Sequence, residues 1–170
     1  MQLAIDIYYL PNQTAKCVGV LFNWEDKSPQ KFIVTKVENV AEYIPGEFYL
    51  RELPCVLAIT DLIDLTKIET AVVDGHVQLG EGKKGLGEYV YEALDKKIPV
   101  IGVAKRSYHT NKQLVKQVLR GNSSNPLHVS AIGVKLEWAA QKVAEMHGEY
   151  RIPDILKKLD QVTKEPFIGL

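Results

Sequence analysis

Four acidic residues stand among apolar neighbours, and a carboxylate in such a place needs a partner or a purpose. The stretch "VVDGH" (72–76) ends a run made for burial, Ala71-Val72-Val73, on Asp74 and Gly75. Asp-Gly is a common turn pair, so a cap or turn accounts for it locally. Glu52 lies at helical spacing from Phe48 and Val56, inside an apolar stripe where an unpaired charge costs several kcal/mol. Arg51 is adjacent to it and points elsewhere on the helix. Asp6 lies in the first strand between Ile5 and Ile7 and faces opposite them, as an ordinary solvent-facing residue would. Asp160 follows Leu156 and Leu159 in the final helix.

Acids drawn from two strands and two helices, without a histidine or cysteine cluster, suit hard oxygen-loving cations such as Mg²⁺ or Mn²⁺. One or two such ions activate water and neutralise charge on a phosphodiester in in-line displacement. Zinc is disfavoured because the four histidines are isolated in the sequence. Neither a GxSxG nor a GxGxxG pattern with suitable flanks is present, and "GEGKKG" (80–85) lacks the spacing and the hydroxyl residue of a P-loop.

The elements that must carry these residues follow from periodicity. Segments 2–9, 16–24 and 31–37 are rich in β-branched and aromatic residues and are separated by Pro11-Asn12 and Asp26-Lys27-Ser28-Pro29, which predicts an antiparallel meander. From Glu47 to Leu65 the apolar spacing becomes helical, with Pro54 expected to kink or restart the helix. A strand "TAVVD", a helix "GLGEYVYEALDKK" and a strand "IPVIGVAK" then form a βαβ unit with parallel pairing. A short strand "LHVSAIG", an amphipathic helix "VKLEWAAQKVAEMH" ended by Gly148, and a helix starting near Pro153 complete the chain. The expected architecture is α/β: a mixed central sheet, antiparallel meander then parallel strands, with helices on both faces. Ligands in such sheets bind beyond the carboxyl ends of the parallel strands, where Asp74 and Lys105 both fall.

The chain of 170 residues is expected to form one domain over 1–170. Its 46% hydrophobic and 25% charged content is that of an average soluble globular protein. No apolar run approaches the ~18 residues of a membrane helix, and the "MQLAIDIYYLP" start has neither the basic residues nor the uninterrupted apolar run of a secretory peptide. Cys17 and Cys55 are too few for a disulfide framework. A reduced, cytoplasmic monomer with no membrane association is therefore expected. Formal net charge is zero, which counts against nucleic-acid binding by broad electrostatics. It leaves room for a local lane through Lys83, Lys84, Lys96, Lys97, Lys105 and Arg106, which is equally readable as a solvated face.

The blocks "YIPGEFYLRELP" (43–54), "VVDGH" (72–76) with "GLG" beginning eleven residues after Asp74, "PVIGVAK" (99–105), "HVSAIG" (128–133) and "RIPDILKKLD" (151–160) together resemble, in order, the motifs of the endonuclease V family. The resemblance runs from about residue 4 to residue 163. It implies a ribonuclease H-like fold and Mg²⁺-dependent nicking of DNA or RNA near a deaminated base, typically hypoxanthine, at the second phosphodiester on its 3′ side. By position it implies metal ligands at Asp6, Glu52, Asp74 and Asp160, and a lysine near the scissile phosphate at Lys105. It implies a wedge at Tyr43-Ile44-Pro45-Gly46 inserted beside the lesion; the plain alternative is a tyrosine packed at the helix start. Lys83 and Lys84 are further candidates for phosphate contact.

Three departures from the family pattern stand out. Gly80, Glu81 and Gly82 occupy the positions of a His-Pro-Arg triplet, so an anion and two glycines stand where phosphate-facing cations are expected. The leading segment before Asp6 and the stretch from Arg106 to Leu127 are short by the family's pattern. Two functions follow: a metal-dependent endonuclease for deaminated nucleic acid, or a relative that binds nucleic acid or a protein partner with little or no cleavage.

Overall fold

In the computed structural model, which describes residues 1–167 and leaves the last three of the expected 1–170 unit outside the described residues, the organising element is a seven-stranded sheet of order β3-β2-β1-β4-β7-β9-β8. The expected meander is there: β1 (Gln2–Leu10), β2 (Thr14–Phe22) and β3 (Lys31–Val37) pair antiparallel. Its first turn uses Asn12 and Gln13 in left-handed conformation, and Thr14 closes it by donating its hydroxyl to the Pro11 carbonyl at 2.9 Å. The chain then crosses to β4 (Thr70–Asp74), parallel to β1, and to β7 (Val100–Ala104), parallel to β4. The edge turns back: β9 (Leu127–Ile132) is antiparallel to β7, and β8 (Lys116–Val118) is antiparallel to β9.

Side-chain alternation along the strands divides the interior in two. Leu3, Ile5 and Val73 pack with Cys55, Val56 and Ile59 of α1 (Tyr49–Thr60) and Val90 of α2 (Leu86–Ala93). Ala4, Val72 and Val103 pack on the opposite face with Ala140 and Val143 of α3 (Leu136–Glu145) and Ile155 and Leu159 of α4 (Asp154–Lys164). Because both faces are covered, facing away from Ile5 and Ile7 does not lead to solvent. Asp6 follows the Ala4 face, the side on which α4 packs, and is only partly exposed. The expectation of an ordinary solvent-facing residue is corrected by that second layer.

Pro54 neither stops nor restarts α1, which runs through it and ends at Thr60, short of the expected Leu65. Asp64 then caps a separate 3-10 turn at Leu65–Lys67, accepting from the Thr66 N–H at 3.1 Å. Two small elements have too few residues to show a period. One is β8; the other is a hairpin of β5 (Gln78–Gly80) and β6 (Lys83–Lys84). Glycine permits the tight approach of the segment after β4. A Cβ on Gly102 would lie 2.5 Å from the Gly75 carbonyl oxygen, and one on Gly87 would lie 2.8 Å from the Val77 Cα. The turn after Asp74 is thus wedged between β7 and the start of α2. Among the described residues no helix is long and apolar enough to cross a membrane.

Candidate functional site

Strand register brings the first two acids together. Ile5 pairs with Val73 across parallel β1 and β4, so the residues that follow, Asp6 and Asp74, stand at adjacent strand ends on one face. Asp74 in turn pairs with Val103 of β7, and Lys105 lies two residues further on that same face. From α4, Asp160 joins Asp6, Asp74 and Lys105 around a cavity of about 40 Å³ whose remaining walls are apolar. From the other layer, α1 carries Glu52 to a larger cleft of about 510 Å³ that it shares with Asp74 and Lys105. Asp74 and Lys105 therefore belong to both spaces, and helices on opposite faces of the sheet supply the other two acids.

The electrostatics are those of anions gathered with little compensation. The Asp6 carboxyl is pushed up to about 6, first by burial and then by the charges of Asp74 and Asp160, against the Ile7 N–H and Lys105. Glu52 is pushed up to about 8, again by burial first and then by Asp74 and Asp6. Asp74 as a residue opens to solvent, yet its carboxyl is also raised, by burial ahead of the opposing pull of Lys105. The polar contacts are few: Asp6 accepts from the Ile7 N–H at 2.9 Å, and Asp160 from Lys164 at 2.9 Å.

This donor set was tested against a divalent ion by its chemistry. It is all oxygen, short of cationic charge, and destabilised by mutual repulsion, which fits a hard cation. Among the described residues no three His, Cys, Asp or Glu side chains converge tightly enough to enclose an ion. The acids form an open lining rather than a closed cage.

The recognition candidates divide unequally. Tyr43, Ile44, Pro45 and Gly46 form the loop before α1; Tyr43 is 55% and Ile44 47% exposed, and Gly46 turns at φ 81°. The Tyr43 ring meets Phe48 edge-on with centroids 5.5 Å apart, and Tyr43, Gly46 and Phe48 line the larger cleft. Lys84 lines it too, but is held by Glu92 at 2.7 Å and lies 5.7 Å from the Tyr89 ring centroid. Lys83 is exposed and stands over Tyr108, with 5.9 Å to the ring centroid.

Several residues at the cleft carried no usable sequence signal. The His76 Nε2–H donates to the Arg106 carbonyl at 3.0 Å and Nδ1 accepts from the Asn111 amide at 3.0 Å, an arrangement for a neutral ring, and burial does lower its pKa. Asn111 also donates to the Gln78 carbonyl at 2.7 Å, and Thr110 donates to the Leu79 carbonyl at 2.5 Å. Together they tie the loop after Lys105 to the β5–β6 hairpin. Gly80-Glu81-Gly82 is the tip of that hairpin, and Gly82 has φ 70°. Only His76, within "VVDGH", lay beside a quoted motif; Tyr108 and Asn111 sit in a polar stretch without periodicity.

Comparisons with known proteins agree with this architecture. The Endonuclease V family model matches residues 3–161. No curated protein sequence matches the chain. Among solved structures, Ciona intestinalis endonuclease V, crystallised with a 24-mer DNA containing an inosine followed by a ribo-adenosine, is similar at TM-score 0.83 and 19% identity, over 95% of this chain and 83% of that one. Human ENDOV is similar at TM-score 0.77 and 19% identity, covering 95% and 82%. Endonuclease V of Streptomyces avermitilis is similar at TM-score 0.72 and 20% identity, covering 96% and 79%. Identities at this level speak for the shared ribonuclease H-like fold.

Proposed function

Because the chain belongs to the endonuclease V family, we propose that it is a metal-dependent endonuclease that nicks DNA or RNA near deaminated bases, hypoxanthine above all. The observation that carries this reading is the side-by-side placement of Asp6 and Asp74 at the ends of β1 and β4, with Glu52 and Asp160 on neighbouring walls and Lys105 common to both spaces. The complex of the Ciona protein with inosine-containing DNA supports the substrate class.

Asp6, Glu52, Asp74 and Asp160 would hold Mg²⁺, with Mn²⁺ able to serve in its place, and the ion would neutralise phosphate charge and lower the pKa of water. The protein's own groups do the rest. Lys105 offers a fixed positive charge to the phosphodiester, which is stabilising where negative charge develops. Tyr43-Ile44-Pro45-Gly46 presents a stiff apolar edge, since the residue before a proline is held extended and proline fixes its own backbone. Such an edge can fill the gap left by an unstacked base.

A second reading, nucleic-acid or protein binding with little cleavage, is favoured by one observation. The hairpin tip carries Glu81 between two glycines where cations would assist a phosphate. Incubation with inosine-containing DNA and RNA, with and without Mg²⁺, tests both. Metal-dependent nicking at inosine supports the first reading; tight binding of these substrates without nicking at any metal concentration selects the second.

A further inference from the structure

Tyr9 ends β1 on the face opposite Asp6, packed against the core that α1 covers. Its hydroxyl is buried and makes no hydrogen bond. A buried polar group without a partner is destabilising, and phenylalanine would fill the same space without that cost. The ring is not loosely held: the Arg51 guanidinium carbon lies 3.5 Å from its centroid. Arg51 is thereby committed to the face of Tyr9 and not to Glu52, the residue beside it in the sequence.

Glu52 is the acid next to this hydroxyl. The Tyr9 hydroxyl holds the Glu52 pKa down, and Glu52 is the largest cause after burial of the raised Tyr9 pKa. Yet the two do not meet the geometry of a formed hydrogen bond, and Glu52 has no ion pair among the described residues. A buried donor without an acceptor thus stands beside a part-buried acceptor that lacks a cationic partner.

We propose that Tyr9 is a positioning residue for Glu52: its hydroxyl donates to the inward carboxylate oxygen, leaving the outward oxygen directed to the cleft shared with Asp74. Arg51 fixes the ring from which that donor projects. This rests on the reading of Glu52 as a ligand of a divalent cation. Groups that orient a ligand in this way typically contribute 10- to 100-fold to metal affinity.

The test is Tyr9→Phe, which keeps the ring and the Arg51 stack and removes only the donor. Mn²⁺ binding to the protein without nucleic acid, followed by electron paramagnetic resonance, should weaken about ten-fold, and the Mg²⁺ concentration for half-maximal cleavage should rise in step. The metal-free Tm should stay level or rise. In a Glu52→Gln background the same substitution should have no further effect on Mn²⁺ affinity, whereas a purely structural role would persist there. Unchanged Mn²⁺ affinity in Tyr9→Phe, with the natural protein binding the ion, overturns this inference alone. A natural protein that binds no Mn²⁺ overturns it together with the metal reading of the site.

Discussion

Arg151 donates from one guanidinium nitrogen to the carbonyl of Lys105 at 2.5 Å and to that of Pro126 at 2.9 Å. Lys105 ends the β7 lead into the cleft, and Arg151 opens the segment that enters α4 and delivers Asp160. One side chain therefore couples the placement of the cleft lysine to that of the fourth acid. Replacing it by alanine frees both segments by a fraction of an ångström to an ångström, a displacement that costs roughly 10- to 100-fold in rate when a reacting group is misplaced. Arg151→Ala should lower the single-turnover rate by about ten-fold or more while leaving affinity for a non-cleavable inosine oligonucleotide within a few-fold. Equal losses in rate and affinity would mean that Arg151 contacts nucleic acid directly.

Asp74 is the acid common to both spaces, and its charge is among the causes that raise Asp6 and Glu52. Asp74→Asn should reduce cleavage by more than ~100-fold, the usual scale for removing a group that organises charge in the transition state. In metal-free buffer the same variant should be as stable as the natural protein or more so, because one of several mutually repelling charges is gone. Rate assays paired with urea denaturation in EDTA check both halves. A variant that cleaves at the natural rate removes Asp74 from the site.

The pH dependence of metal-free stability has a definite sign. Glu52 sits at about 8 in the folded chain against 4.5 for the free side chain, and Asp6 at about 6 against 3.8. Between those values the folded protein binds more protons than the unfolded one, so stability falls as pH rises. The contribution is fully present below about pH 4 and is lost by about pH 8, with Asp6 governing the lower part of the window and Glu52 the upper. A ten-fold change in proton affinity is about 1.4 kcal/mol; the combined loss in these part-buried groups is on the order of a few kcal/mol. Urea titrations in EDTA at pH 5, 6.5 and 8 should show the decline, and Glu52→Gln should flatten it above about pH 6.5. Saturating Mg²⁺ should reverse it, since binding to the folded state alone raises stability. A profile that rises from pH 5 to 8 without metal contradicts the clustering of these acids.

Much of this arrangement was legible in the sequence because it follows from periodicity. Alternation marked β1 to β4, and helical spacing marked α1 and the position of Glu52 within its stripe. What one strand could not reveal was its neighbour's register: that Asp6 stands beside Asp74 depends on Ile5 pairing with Val73. Nor could it reveal that the face of Asp6 is roofed by α4, a contact made across most of the chain's length. The β5–β6 hairpin and β8 are two or three residues per strand, too short to show any period. The anchors of the cleft loop, Asn111 and Thr110, act through backbone carbonyls, which any sequence possesses and no motif announces.

The hairpin tip gives the last prediction its form. Two glycines and Glu81 replace a cationic triplet, and electrostatic donors of that kind contribute ~3 kcal/mol each to lowering a barrier. The natural protein should therefore cleave inosine-containing DNA slowly, at a single-turnover rate ~100-fold or more below that of relatives that carry the triplet. Grafting His-Pro-Arg over Gly80-Glu81-Gly82 is not a clean test. Gly82 turns at φ 70°, and a Cβ on Gly80 would lie 3.2 Å from the Thr110 carbonyl oxygen, so side chains at both positions strain the turn. Glu81→Arg leaves both glycines and reverses the charge at the tip. If the tip faces the phosphate track, this variant should raise the single-turnover rate several-fold at low salt, with the gain shrinking as ionic strength rises. The triplet graft should gain less and should lower the Tm. A rate that is already fast in the natural protein and unmoved by Glu81→Arg would show that phosphate is held elsewhere, with Lys83 on the adjoining strand and Arg106 on the loop that braces the hairpin as the next groups to substitute.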